Sequence, residues 1–222
     1  MIDKQVNSVA EALQGARDGD VVLVGGFGTS GRPEQLVRGL TELGLRDLTL
    51  VANNATTGTD SIAELMSAGC VRKVVCSFPR GLYGTTIFEQ LYRAGKIELE
   101  LVPQGTLAER IRAGAAGIGG FFTKTAAGTE LAKGKETRII DGEQYVLEKP
   151  IKGDIALIKA KLGDRWGNLT YHRGARINNP TMAGAAPLCI AQVRSIVEVG
   201  ALDPEVVITP SIFVHRLVEV GV

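Results

Sequence analysis

Hydrophobic residues in the first half of the chain follow two alternating rhythms. Val21-Val22-Leu23-Val24, Leu48-Thr49-Leu50-Val51-Ala52, Lys73 to Phe78 and Ile97 to Val102 are short apolar or β-branched runs that read as buried strands. Between them, Val6 to Ala16, residues 33–43, residues 60–68, Thr85 to Ala94 and Leu107 to Ala113 carry apolar residues at helical spacing, as in Val6, Val9, Ala10 and Leu13. Strand and helix in regular alternation predict an α/β fold: a mostly parallel, doubly wound sheet with helices on both faces.

After residue 116 the rhythm loosens. Gly117 to Phe122 and Ala126-Ala127-Gly128-Thr129 form a glycine-rich connection, and Asp141-Gly142 between two apolar runs is a hairpin signal. Further strands are expected at 154–160, 193–199, 206–209 and 213–219. The second half is therefore expected to be more irregular and partly antiparallel. No internal repeat, low-complexity segment or flexible linker divides the 222 residues, which predicts a single domain spanning 1–222.

Charge removes several function classes. Lys and Arg number 25 against 24 Asp and Glu, with aromatics at 5%, so no field or stacking surface favours nucleic acid. The polar start lacks a signal core and no apolar run is long enough to span a bilayer, so no membrane role and a cytoplasmic location are expected. Cys70, Cys76 and Cys189 lack metal-like spacing and are expected to be reduced and packed. His172 and His215 stand far apart without a cysteine or carboxylate cluster, which leaves no metal site. No G-x-S-x-G elbow occurs.

The candidate chemistry lies after the run 21–24. Gly25-Gly26-Phe27-Gly28-Thr29-Ser30-Gly31 places four glycines in seven positions, followed by Arg32 and a proline-initiated helix at Pro33. A strand, a glycine turn and a helix start make a site for an anion or a developing oxyanion. Gly26 to Gly31 also fits the dinucleotide pattern G-x-G-x-x-G, but the second strand runs into Asn53-Asn54 instead of an acid. A phosphate loop would need a lysine and a hydroxyl residue where Arg32-Pro33 stand.

The whole segment from Asp18 to Pro33 resembles the signature of the class I (3-oxoacid) coenzyme A transferases, α-subunit type. Val102 to Arg112 and Gly163 to Thr170 look like further segments of that family, in the same order along the chain. Val75 to Arg80 and Leu91 to Glu98 look most like the members that use 3-oxoadipate and succinyl-CoA. Members acting on acetoacetate or short-chain fatty acids are the alternative within the family. A nucleotide-binding domain is the alternative outside it, with an effector-binding regulatory module as a third.

The resemblance implies transfer of CoA from an acyl-CoA to a carboxylic acid through a glutamyl-CoA thioester. CoA would be substrate and covalent intermediate, with no tightly bound cofactor. The family's nucleophile is a glutamate in a Ser-Glu-Asn-Gly sequence of the β subunit, and no such sequence occurs here. The resemblance thus implies a β-subunit partner, in a heterodimer or heterotetramer. Gly25, Gly26, Phe27, Gly28, Thr29, Ser30 and Gly31 would contact CoA and stabilise the oxyanion, where one backbone donor is worth about 3–4 kcal/mol. Gln104 and Asn53 would orient the partner's glutamate or the substrate carboxylate, and Asn54 and Arg80 would contact substrate. Glu109, Arg110 and Arg112 are expected to solvate the outer face of their helix.

Overall fold

The computed structural model describes residues 2–81 and 84–221. Its first half is a strict alternation: β1 (Gln5–Val6), α1 (Val9–Ala12), β2 (Val21–Val24), α2 (Glu34–Leu43), β3 (Leu48–Asn54), α3 (Ser61–Ser67), β4 (Val71–Phe78), α4 (Ile87–Arg93), β5 (Glu98–Leu101) and α5 (Gln104–Ala116). The second half contributes β6 (Phe121–Thr123), β7 (Thr137–Ile140), β8 (Glu143–Glu148), β9 (Ile155–Lys159), β10 (Leu162–Asp164), β11 (Leu169–Thr170), α6 (Asn179–Ala183), β12 (Leu188–Val193), β13 (Ser195–Val197) and β14 (Arg216–Glu219). Eight of these strands form one parallel sheet in the order β1-β14-β12-β9-β2-β3-β4-β5.

The run 21–24 is apolar throughout because both sheet faces are covered. Val22 and Val24 join Leu36, Val37 and Leu40 of α2 and Ile62, Leu65 and Met66 of α3. Leu23, one residue out of phase, joins Leu107 and Ile111 of α5 and Met182 of α6 on the opposite face. From β2 the chain builds outward through β3, β4 and β5, and the returning strands β9, β12 and β14 build the other way. The strand order therefore reverses between β2 and β9, where open α/β sheets form a ligand crevice beyond the strands' carboxyl ends. The glycine turn leaves β2 at that point.

Several boundaries depart from expectation. The helix expected over Val6 to Ala16 shrinks to Val9–Ala12, because Gln5 and Val6 pair with Leu217 and Val218 of β14 and Ser8 caps the helix. The helix expected at 107–113 runs from Gln104 to Ala116. Residues 193–199 are not one strand: β12 ends at Val193 and β13 joins a small sheet with β10 and β11. No strand forms at 206–209, where Pro204 starts a tight turn and only Thr209 bridges to Leu169. The last strand begins at Arg216 rather than 213.

The hairpin signal at Asp141-Gly142 does join antiparallel strands, β7 and β8, with β6 on the other side of β8. Glu148, at the end of β8, is buried and lies 2.5 Å from Lys135 Nζ. Arg110 is drawn inward, with Nη1 2.8 Å from Glu100 Oε1 and Nε donating to the Lys149 carbonyl at 2.7 Å. This corrects the expectation that Arg110 solvates its helix: the hairpin sheet covers it, a contact across 39 residues that no local pattern announces. Glu109 and Arg112 do pair on the exposed face, 2.9 Å apart.

Candidate active site

Gly25 donates to the Leu157 carbonyl of β9 at 2.9 Å, so the turn begins as a continuation of the sheet. Phe27 and Ser30 then exchange both backbone hydrogen bonds, at 2.9 and 3.0 Å, closing a tight loop around Gly28-Thr29. Gly28 N–H donates to Asn54 Oδ1 at 3.0 Å. The N–H groups of Gly26, Thr29 and Gly31 have no acceptor among the described residues.

Three supports fix this loop. Asn53 Nδ2 donates to Asn54 Oδ1 at 2.7 Å, so that oxygen serves two donors and the Asn54 amide group is left as donor only. The gap between loop and β3 is nearly closed, with about 10 Å³ of free space. From the opposite side, Asn178 Nδ2 donates to the Gly26 carbonyl at 2.9 Å. Asn179, fully buried, donates to the Gly31 and Ala175 carbonyls and accepts from Lys159 N–H, at 2.9–3.0 Å. Gly25 permits this approach: a Cβ there would stand within 2.7 Å of Asn179 Cγ.

The third support is ionic. Arg32, only 4% exposed, donates from Nη2 to the Gly28 carbonyl at 2.6 Å. Its Nη1 lies 2.5 Å from Asp60 Oδ2, an ion pair whose alignment falls outside hydrogen-bond geometry. Asp60 caps α3 through Ala63 N–H and accepts from Thr56 and from both the N–H and the hydroxyl of Thr57. Burial alone would raise its pKa, but the Thr57 donors, the Arg32 guanidinium and Ala63 N–H outweigh it and hold it below the usual carboxylate range.

The structure thus brings Gly25 to Gly31, Asn53 and Asn54 into one cluster. Gln104 and Arg80 lie along the same sheet edge but apart from it. Gln104 is exposed at the start of α5, beyond the end of β5, three strands from β2. Arg80 follows β4, is 83% exposed and lies 3.8 Å from Glu89. Arg32, Asp60, Asn178 and Asn179 were not singled out in the sequence. Asp60 was legible as a helix cap and Asn178-Asn179-Pro180 as a helix start, but nothing local connects either to the loop.

Beside the loop, on its β9 side, lies a cavity of about 490 Å³ with Gly31 in its wall. The three cysteines are free and buried. Burial pushes the Cys76 thiol up to about 12 and raises Cys70 and Cys189 as well. Iodoacetamide at pH 8 is therefore expected to label none of the three until denaturant is added, as read by intact mass. Among the described residues no cluster of His, Cys, Asp or Glu could hold a metal, and no helix is long and apolar enough to cross a membrane.

Comparison with known proteins gives a consistent picture. The family described as coenzyme A transferase matches residues 6–220. A Pseudomonas putida protein, named as a 3-oxoadipate CoA-transferase subunit, is 59% identical over 221 residues, covering 100% of this chain and 95% of that protein. A Xanthomonas campestris protein, named as a succinyl-CoA:3-ketoacid coenzyme A transferase subunit, is 45% identical, covering 97% and 88%. Among solved structures, an acyl-CoA transferase of E. coli O157:H7 in a thioester complex with CoA superposes with a TM-score of 0.84 at 22% identity. That match covers 98% of this chain but 47% of the neighbour, so the chain spans about half its length and the likeness speaks to fold.

Proposed function

The chain belongs to the coenzyme A transferase family, and from that premise we propose that it is the α subunit of an enzyme moving CoA from succinyl-CoA to 3-oxoadipate. The carrying observation is the glycine loop at the strand-order reversal, braced on three sides with N–H groups left open. When a carboxylate attacks a thioester carbonyl, negative charge moves onto the carbonyl oxygen. Fixed N–H donors from Gly26, Thr29 or Gly31 meet that charge without reorganising.

The attacking carboxylate comes from a partner subunit seated over the same edge, since this chain lacks the family's Ser-Glu-Asn-Gly sequence. The remaining Asn54 amide donor and Asn53 lie beside the loop, and Gln104 stands farther along the edge. Together they hold the incoming carboxylates as neutral hydrogen-bond donors, which orient an acid that must react and leave. Collapse of the adduct at the thioester carbonyl expels CoA thiolate and leaves an acyl–glutamyl anhydride. The thiolate then attacks the glutamyl carbonyl, releasing the donor acid and leaving CoA on the partner's glutamate. The acceptor acid takes CoA by the same steps in reverse.

The test is reconstitution. The isolated chain is expected to show no CoA transfer, and mixing or co-expression with its partner should give turnover with 3-oxoadipate. Intact mass should place the CoA adduct on the partner. Full-rate transfer by the isolated chain would overturn the partner reading, and transfer to acetoacetate alone would overturn the choice of acceptor.

A further inference from the structure

Succinyl and 3-oxoadipyl groups share one feature beyond the thioester: a second carboxylate at the far end of the chain. In an extended acyl group it lies three or five carbon–carbon bonds from the reacting carbonyl, roughly 4 or 6 Å. A protein that selects such substrates needs a cation within that reach of its oxyanion donors. Arg80 is one cation on the same sheet edge. It follows β4, is 83% exposed, and its Nε already has a carboxylate, Glu89 Oε1, 3.8 Å away.

A second group of cations lines the cavity beside the loop. Gly31, the last residue of the loop, forms part of its wall. Lys159 at the end of β9, Lys161 just past it and Arg194 just past β12 supply its charged lining, His172 also lines it, and among the described residues no Asp or Glu does. None of Lys159, Lys161 and Arg194 takes part in an ion pair among the described residues, although Lys and Arg outnumber Asp and Glu by only 25 to 24 in the chain. Gln192, buried in the same wall, accepts from Gln35 N–H through Oε1 and retains its amide donor. The volume, about 490 Å³, falls within the roughly 300–1,000 Å³ of small-molecule sites.

We propose that this cavity receives the distal carboxylate of the acyl group, with Lys159, Lys161 and Arg194 as the residues that select dicarboxylic substrates. The inference rests on the CoA-transferase reading above and adds to it the determinant of acyl choice. A carboxylate placed there supplies the counter-charge that the lining lacks, with the reacting carbonyl toward the wall that Gly31 forms.

The test uses the reconstituted complex carrying Arg194→Gln, Lys159→Gln or Lys161→Gln, with 3-oxoadipate and acetoacetate as acceptors. Acetoacetate has the same 3-oxo acid end and no second carboxylate. At least one variant should lower kcat/KM for 3-oxoadipate about tenfold or more relative to acetoacetate, chiefly through KM. An equal fall for both acceptors means that the cations hold CoA phosphates or the partner subunit, and overturns the proposal. So does an unchanged ratio in all three variants. A wild-type complex that transfers to neither acid marks failure of the functional reading itself. Thermal melting and gel filtration of each variant separate selectivity from folding and assembly.

Discussion

Gly26→Val is expected to lower kcat for CoA transfer by about two to three orders of magnitude while the subunits still associate. Gly26 holds φ at +110°, a conformation that a β-branched residue does not adopt without strain. A Cβ there would also stand 3.0 Å from Arg32 N and 3.0 Å from Ser30 O, both backbone atoms, the latter held by Phe27 N–H. The loop must therefore open, and with it the N–H donors lose their common aim. Gly26→Ala brings the same strain with less bulk and should fall between wild type and valine. The measurements are single-turnover formation of the CoA adduct and gel filtration of the complex. Near-normal adduct formation by the valine variant would remove the loop from the mechanism.

Sequence pattern and structure agree where the signal is periodic and diverge where it is relational. Val21–Val24 was legible to the residue because a run buried on both faces admits no polar position. Asp60 and Gly44 mark the start of α3 and the end of α2 by the ordinary rules of capping. The two-residue β1 was not legible: Val6 reads as the first apolar position of a helix, and only its parallel partner β14, more than two hundred residues on, makes Gln5-Val6 a strand. The site divides the same way. The glycines of the loop announce themselves, whereas the groups that fix its shape are ordinary residues elsewhere. Asn178 and Asn179 act across about 150 residues, and Arg32 read as a mismatch to a phosphate loop rather than as the loop's anchor.

Asp60→Asn should cost about 3–5 kcal/mol of stability, because it leaves the Arg32 guanidinium buried without its counter-charge. The substitution keeps an oxygen able to cap α3, so the loss reports the charge rather than the cap. It also brings an amide donor into a position where the N–H and hydroxyl of Thr57 already donate. Glu34 Oε1, 3.6 Å from Arg32 Nη1, offsets part of the loss. Turnover should fall with stability, since Arg32 holds the Gly28 carbonyl and thereby the loop. Arg32→Met combined with Asp60→Asn removes the unpaired charge, so the urea midpoint should recover substantially while turnover does not. The wild-type pair has its own pH signature. The folded carboxyl titrates below its unfolded value, so its stabilisation is complete above the ordinary carboxylate range and is lost as pH falls through the depressed folded value. An acid limb that moves to higher pH in Arg32→Met would confirm the coupling, and a double variant turning over at the wild-type rate would show that the loop keeps its shape without the buried pair.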